Sequence, residues 1–325
     1  MFGWFCDTLD GVDALRWREG PTPEPGPGQA LVAIRAASLN FPDLLIIQGR
    51  YQFKPALPFV PGSEFAGVVE AIGPRVTEVK VGDRVASVGG TGGFGTHALA
   101  DPAQLVRLPA GIPFDEGAGF VLTYGTSHHA LIDRASLQSG ETVLVLGAAG
   151  GVGTAAIQIA KAMGARVIAG VSTPGKAEFC RALGADAAID YTRENLRDAV
   201  KSLTGGTGPD VVYDPVGGAL AEPAFRSIAW RGRYLVVGFA DGTIPSLPLN
   251  LTLLKGASVV GVFWGDFVRR EPAAWALVMA DLGAWYAEGR IKPVIDQTLP
   301  MSRLPEAYAR MASRQVRGKL VMINS

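Results

Sequence analysis

The stretch L-V-L-G-A-A-G-G-V-G-T-A-A, Leu144 to Ala156, runs an apolar strand-like segment into a glycine-rich turn and then into a helix-forming run. That context gives a glycine pattern its meaning, because a tight turn between strand and helix brings unpaired backbone N–H groups to one point. Gly150 lets the main chain approach a pyrophosphate, and Gly153 lets helix and strand pack closely. Gly151 and Val152 open the helix, where free amides and partial positive charge favour phosphate oxygens. Ala148 stands where G-x-G-x-x-G has its first glycine.

Working outward, the same rhythm of strand, helix and strand continues. T-V-L-V-L, A-R-V-I-A-G-V, A-A-I-D, D-V-V-Y-D, R-Y-L-V-V-G and A-S-V-V-G-V-F read as six strands between helical segments. Such alternation predicts a parallel sheet covered by helices, of the doubly wound Rossmann type. Val152, Ala156, Ile159, Ala160 and Met163 share one face of the first helix, which Gly164 ends. Thr173 caps and Pro174 opens the second helix.

The end of the second strand selects the dinucleotide. An NAD site wants a carboxylate for the ribose 2′-hydroxyl about 20 residues beyond the glycines. Here Val171 stands 21 residues beyond Gly150, followed by Ser172, Thr173 and Lys176. No carboxylate is present to repel a 2′-phosphate, while Ser172, Lys176 and a new helix N-terminus offer donors and charge. Tyr191 and Arg193, after the third strand, add to that side. The expectation is NADP (NADPH) rather than NAD.

The first ~120 residues read differently, as short β runs between Gly/Pro turns, and predict a partly closed β domain. A tail, R-G-K-L-V-M-I-N, is expected to return to it as a closing strand. Expected boundaries are 1–122 for the first domain, 123–265 for the dinucleotide domain and 266–325 for the return.

Bulk properties exclude several classes. The 325 residues carry 30 basic and 30 acidic side chains without a block of like charge, which leaves no footprint for nucleic acid or anionic membranes. Two cysteines, Cys6 and Cys180, cannot form a disulfide framework or a multi-cysteine zinc site. The N-terminus lacks a basic n-region and a cleavage site, and no long apolar run is present, so a cytoplasmic location is expected. The apolar sixth strand, at the sheet edge, is expected to pair with its twin in a homodimer.

The ordered set A-A-S-L-N-F-P-D, P-G-S-E-F-A-G-V-V, V-G-D-R-V, L-T-Y-G-T-S-H-H-A-L, G-A-A-G-G-V-G and V-V-G-F resembles the zinc-independent quinone oxidoreductase branch of the medium-chain dehydrogenase/reductases. The resemblance spans nearly the whole chain and implies a GroES-like β-barrel domain beside the Rossmann sheet. Zinc-dependent relatives hold a catalytic metal with a cysteine near the position of Asn40, a G-H-E triplet, and another cysteine ahead of the Rossmann domain. The corresponding places here are Asn40, Ser63 of G-S-E, and the 121–123 segment, so only Glu64 survives of a ligand set that needs about three. Adjacent His128 and His129 point about 100° apart on a helix and do not repair the loss. No metal is expected, and Glu64 is expected to order local backbone donors.

Without a Lewis acid, hydride transfer to a conjugated acceptor is the chemistry that remains, because charge spreads to an oxygen that hydrogen bonds can hold. The expected partner is a small quinone or another α,β-unsaturated carbonyl. The resemblance puts Tyr51 over the cofactor, either as a donor to the substrate oxygen or as a wall of the pocket with water supplying the proton, and Asn40 at the nicotinamide ribose. Asp43 is expected either to relay a proton or to fix the loop. Further cofactor contacts are implied at Thr126, at Val216 and Gly217, at Gly238 and Phe239, and at Phe263 and Trp264. Arg317 and Lys319 of the tail are expected to reach the pyrophosphate or ribose, or to form an interdomain salt bridge. Two alternatives stand beside the quinone reductase: an enoyl or alkenal double-bond reductase, and a non-catalytic NADPH-binding or RNA-binding protein of the zeta-crystallin kind.

Overall fold

Six short, mostly apolar runs build the sheet that carries the glycine motif. In the computed structural model, which describes residues 1–324, these are Thr142–Leu146, Arg166–Val171, Ala187–Asp190, Val211–Asp214, Arg233–Val236 and Ser258–Gly261. All adjacent pairs are parallel. Counted along the chain, their spatial order is third, second, first, fourth, fifth, sixth, which is the doubly wound order. The order reverses beside the first strand, and that strand feeds the Leu144–Ala156 turn. Leu144, Leu146, Ile168 and Val212 are fully buried in the core of this sheet. Helices Gly151–Ala162 and Pro174–Ala182 cross over between the first three strands. Thr173 Oγ1 accepts the Lys176 N–H at 3.3 Å, as the cap predicted.

A second sheet is antiparallel except for one pair. Its order is Ile295–Pro300, Lys319–Ile323, Ala30–Leu39, Glu64–Ile72, Arg84–Val88 and Leu105–Arg107, with His97–Ala100 also on Ala30–Leu39. The tail strand joins it as expected, with Leu320 opposite Leu39 and Val321 opposite Ser38. Phe2–Cys6 and Leu15–Glu19 form a separate hairpin.

The chain divides into one compact unit of Met1–Leu122 with Pro293–Ser325 and another of Thr123–Lys292. The return expected at 266 therefore falls at Pro293. The apolar helix Pro272–Ala287 explains the difference, since Trp275 packs edge-on against Trp264 at 5.3 Å and belongs to the second unit. No helix among the described residues is long and apolar enough to cross a membrane.

Candidate active site

In the first unit, polar side chains gather where three strands and a short helix meet. Pro42 preorganises the first turn of helix Phe41–Ile46, and the chain enters it through Asn40 in an extended conformation. Asp43 reaches back from the third helical position, so that its Oδ2 accepts the Asn40 N–H at 2.8 Å. Its Oδ1 accepts both the N–H of Ser63, at 3.1 Å, and the Ser63 hydroxyl, at 2.9 Å. Asp43 is completely buried. Burial pushes its carboxyl up to about 6, against the hydrogen bonds of Asn40 and Ser63 and the charge of Lys319, which favour the ionised form. Of the two roles expected for Asp43, fixing the loop is the one its bonds describe.

Glu64 opens its strand directly after Ser63 and is also completely buried. Its Oε2 accepts from Ser38 Oγ at 2.6 Å, Asn40 Nδ2 at 3.0 Å and Lys319 Nζ at 3.1 Å. Oε1 accepts the Leu122 N–H at 2.8 Å, the kind of backbone donor expected of it. Lys319 Nζ also donates to Asn40 Oδ1 at 2.5 Å. The tail was expected to send this lysine to a pyrophosphate or to the other domain. Instead the ammonium is buried inside the first unit, because the Lys319–Ile323 strand lies antiparallel to the strand bearing Ser38. The same cluster takes up both ends of the Asn40 side-chain amide. Arg317 stays exposed.

A zinc ion does not fit this arrangement. Asn40 and Ser63 replace the nitrogen or sulfur ligands a zinc site needs, and the ammonium of Lys319 lies on the Glu64 carboxylate. Among the described residues no three His, Cys, Asp or Glu side chains gather as a metal site. His128 and His129 are buried, their rings beside Trp285 and Phe267. Tyr51 is half-buried against the apolar core of the unit, where burial and then the Asp43 charge push its phenol upward.

The second unit holds the glycine turn. Gly147 has φ of +58°, and Gly150 precedes the helix with no side chain capping its first amides. A Cβ on Gly153 would lie 2.5 Å from Gly147 O and 2.7 Å from Ala148 Cα, so only glycine allows helix and strand this close. The first-turn amides, among them those of Gly151 and Val152, therefore form a cradle that side chains do not fill. That is the feature a pyrophosphate requires. Ser127, which the sequence reading missed, donates to Val152 O at 3.0 Å and lies 3.0 Å from the Tyr213 hydroxyl, bracing the turn from below. Its neighbour Thr126 is buried on the same helix.

At the end of the second strand Ser172 and Lys176 are half-buried beside the Thr173 cap. Tyr191, half-buried, follows the third strand. Arg193 leans on Asp190, at 3.7 Å, rather than standing alone. Past the fourth strand, Asp214 Oδ1 accepts the N–H groups of Val216 and Gly217, each at 2.8 Å, and fixes that turn. The Tyr234 hydroxyl donates to Asp214 Oδ2. Asp214 and Tyr234 carry no motif; only the pairing of the fourth and fifth strands brings them together. Gly238 and Phe239 follow the fifth strand and Phe263 the sixth, all at strand C-terminal ends. Trp264, expected at the cofactor, is a core residue, its ring packed against Gly125 and Trp275. Phe263 beside it is 60% exposed.

Comparison with known proteins agrees with this layout. Residues 26–110 match the family described as alcohol dehydrogenase GroES-like domain, and residues 151–280 match zinc-binding dehydrogenase. Quinone oxidoreductase-like protein 2 of Bos taurus is 38% identical over 306 residues, covering 94% of this chain and 88% of its own. Quinone oxidoreductase of Pseudomonas aeruginosa is 37% identical, over 96% of each chain. Among solved structures, Escherichia coli quinone oxidoreductase complexed with NADPH superposes with a TM-score of 0.93 at 28% identity, covering all of both chains.

Proposed function

Because the chain belongs to the quinone oxidoreductase branch of the medium-chain dehydrogenase/reductase family, we propose that it is an NADPH-dependent reductase whose acceptor is a quinone. The observation that carries the choice of cofactor is the carboxylate-free end of the second strand, Val171 to Lys176, beside an uncapped glycine helix start. A carboxylate there would hold a ribose 2′-hydroxyl and repel a 2′-phosphate; serine, lysine and a helix N-terminus do the reverse.

In this reading the amides of Gly151, Val152 and Gly153 hold the pyrophosphate, and Ser172 and Lys176 hold the 2′-phosphate. The turns at Val216–Gly217 and Gly238–Phe239 border the rest of the dinucleotide. When bound, the dihydronicotinamide supplies a hydride. The Tyr51 phenol, which burial and the Asp43 charge push upward, donates a hydrogen bond to the acceptor oxygen as negative charge grows there. Asp43 and Ser63 hold the loop that carries Tyr51 and do not touch the acceptor. A metal has no part in these steps.

Two copies join through the sixth strand, which ends the sheet with Val259 47% exposed, next to the exposed Leu253, Leu254 and Phe263. Sedimentation of the wild type and of Val259→Lys tests this, with a dimer expected only for the former.

The activity is tested by following NADPH oxidation against quinones, enones and enoyl thioesters, with and without a chelator. Turnover with quinones, unchanged by the chelator, is the expected result. Exclusive use of enones or thioesters would move the acceptor to the double-bond class, and loss of turnover on chelation would overturn the metal-free mechanism.

A further inference from the structure

The chain leaves the first unit after Leu122 and re-enters it at Pro293. Residues at both places are tied to the same buried ion pair. Glu64 Oε1 accepts the Leu122 N–H at 2.8 Å, while Glu64 Oε2 holds Lys319 Nζ at 3.1 Å. The backbone N–H of that same Lys319 donates to Val294 O at 2.8 Å, one residue inside the re-entry point. Gly318 makes this last approach possible: it has φ of +91°, and a Cβ there would lie 2.2 Å from Val294 O.

We infer that Glu64 and Lys319 form a clasp joining the exit and re-entry segments of the chain, so that neither loosens without the other. The argument is one of connectivity and burial. Glu64 is 0% exposed and Lys319 4%, so water does not compete for either charge. In such surroundings an unpaired charge is strongly disfavoured, and the pair opens as a whole or stays shut. Ser38 and Asn40 complete the shell of donors on Glu64 Oε2. Four segments distant in sequence, at 38–40, 64, 122 and 319, thus meet on one carboxylate. The clasp belongs to the first unit alone and does not depend on the proposed cofactor or acceptor.

Amide hydrogen exchange of the full chain, without ligand, tests the coupling. In Lys319→Met, the amides of residues 119–122 are expected to exchange at least tenfold faster, although the substitution is some 200 residues away in sequence. In Glu64→Gln, the amides of residues 318–320 are expected to do the same. Amides of Thr142–Leu146, in the second unit, are expected to stay within twofold in both variants. If each substitution speeds exchange only in its own segment, leaving the other within twofold of wild type, the clasp is refuted and the bonds are independent local ties. Should Lys319→Met accelerate Thr142–Leu146 as well, Lys319→Arg is read at the same segments. That variant keeps the charge but displaces it, and unchanged exchange at 119–122 alongside faster exchange at 294–296 would refute the clasp equally.

Discussion

Asp43 accepts both the backbone N–H and the hydroxyl of Ser63 while being wholly shielded from water. Its carboxyl is raised from 3.8 to about 6, chiefly by burial. A raised acid binds its proton more tightly in the folded state, so the stability gained by protonation is fully present below the unfolded value. It is lost as pH rises through the folded one. The wild type is therefore expected to lose about 3 kcal/mol from this group between pH 4 and pH 6. Asp43→Asn is expected to flatten that slope. Urea unfolding of both proteins across the window is the check, and parallel curves would contradict the assignment.

Gly153 faces backbone, not a flexible side chain, at 2.5 to 2.7 Å from where its Cβ would be. Gly153→Ala must therefore push the helix off the strand, at a cost of about 1–3 kcal/mol. The first-turn amides move with the helix, so NADPH affinity is expected to fall together with stability. Denaturant unfolding and fluorescence titration measure the two. A variant as stable as wild type with unaltered affinity would mean that the close approach does not shape the cradle.

Tyr234 and Asp214 give a sharper separation of stability from binding. Burial and the neighbouring carboxylate push the phenol upward, and it satisfies Oδ2, while Oδ1 accepts the Val216 and Gly217 N–H groups. Tyr234→Phe strands one buried oxygen and is expected to cost about 1–3 kcal/mol with little change in NADPH affinity. Asp214→Ala releases the turn and is expected to weaken affinity as well. Equal effects on binding from both variants would sink this division of labour.

The second unit was legible because its strands are short, mostly apolar runs between glycine or cap signals. The pattern gave all six strands and the turn at Gly150–Gly153. The hairpin Phe2–Cys6 with Leu15–Glu19 was not legible. L-R-W-R-E carries three charges in five residues and only Leu15 and Trp17 as apolar positions, so it is a weak signal beside the longer apolar runs. The division between the units falls at Pro293 rather than at 266 because Pro272–Ala287, apolar apart from Asp281, packs with the second unit. Lys319 was misplaced for a different reason. Its role depends on the antiparallel register that sets Leu320 opposite Leu39, and register across nearly the whole chain leaves no trace in local sequence. The bond of Ser63 to Asp43 was not legible either, because it needs the loop to close.

Lys176 sits half-buried in the first turn of helix Pro174–Ala182, its own N–H held by Thr173 at 3.3 Å. Its side chain follows the carboxylate-free strand end by one helical turn, and Arg193 is drawn to Asp190. A charge-assisted contact to a phosphate is worth about 1.5–3 kcal/mol, which is roughly ten- to a hundredfold in affinity. Lys176→Ala is therefore expected to weaken NADPH binding by that factor and NADH binding by less than threefold, since NADH has no 2′-phosphate to lose. Arg193→Ala is expected to alter neither by more than about twofold, because a surface pair at this distance contributes little. Parallel titrations of the three proteins with both nucleotides decide the matter. An equal loss of NADPH and NADH in Lys176→Ala would show that the lysine supports the helix start rather than reading the phosphate, and selectivity would then rest on Ser172 and the helix amides alone.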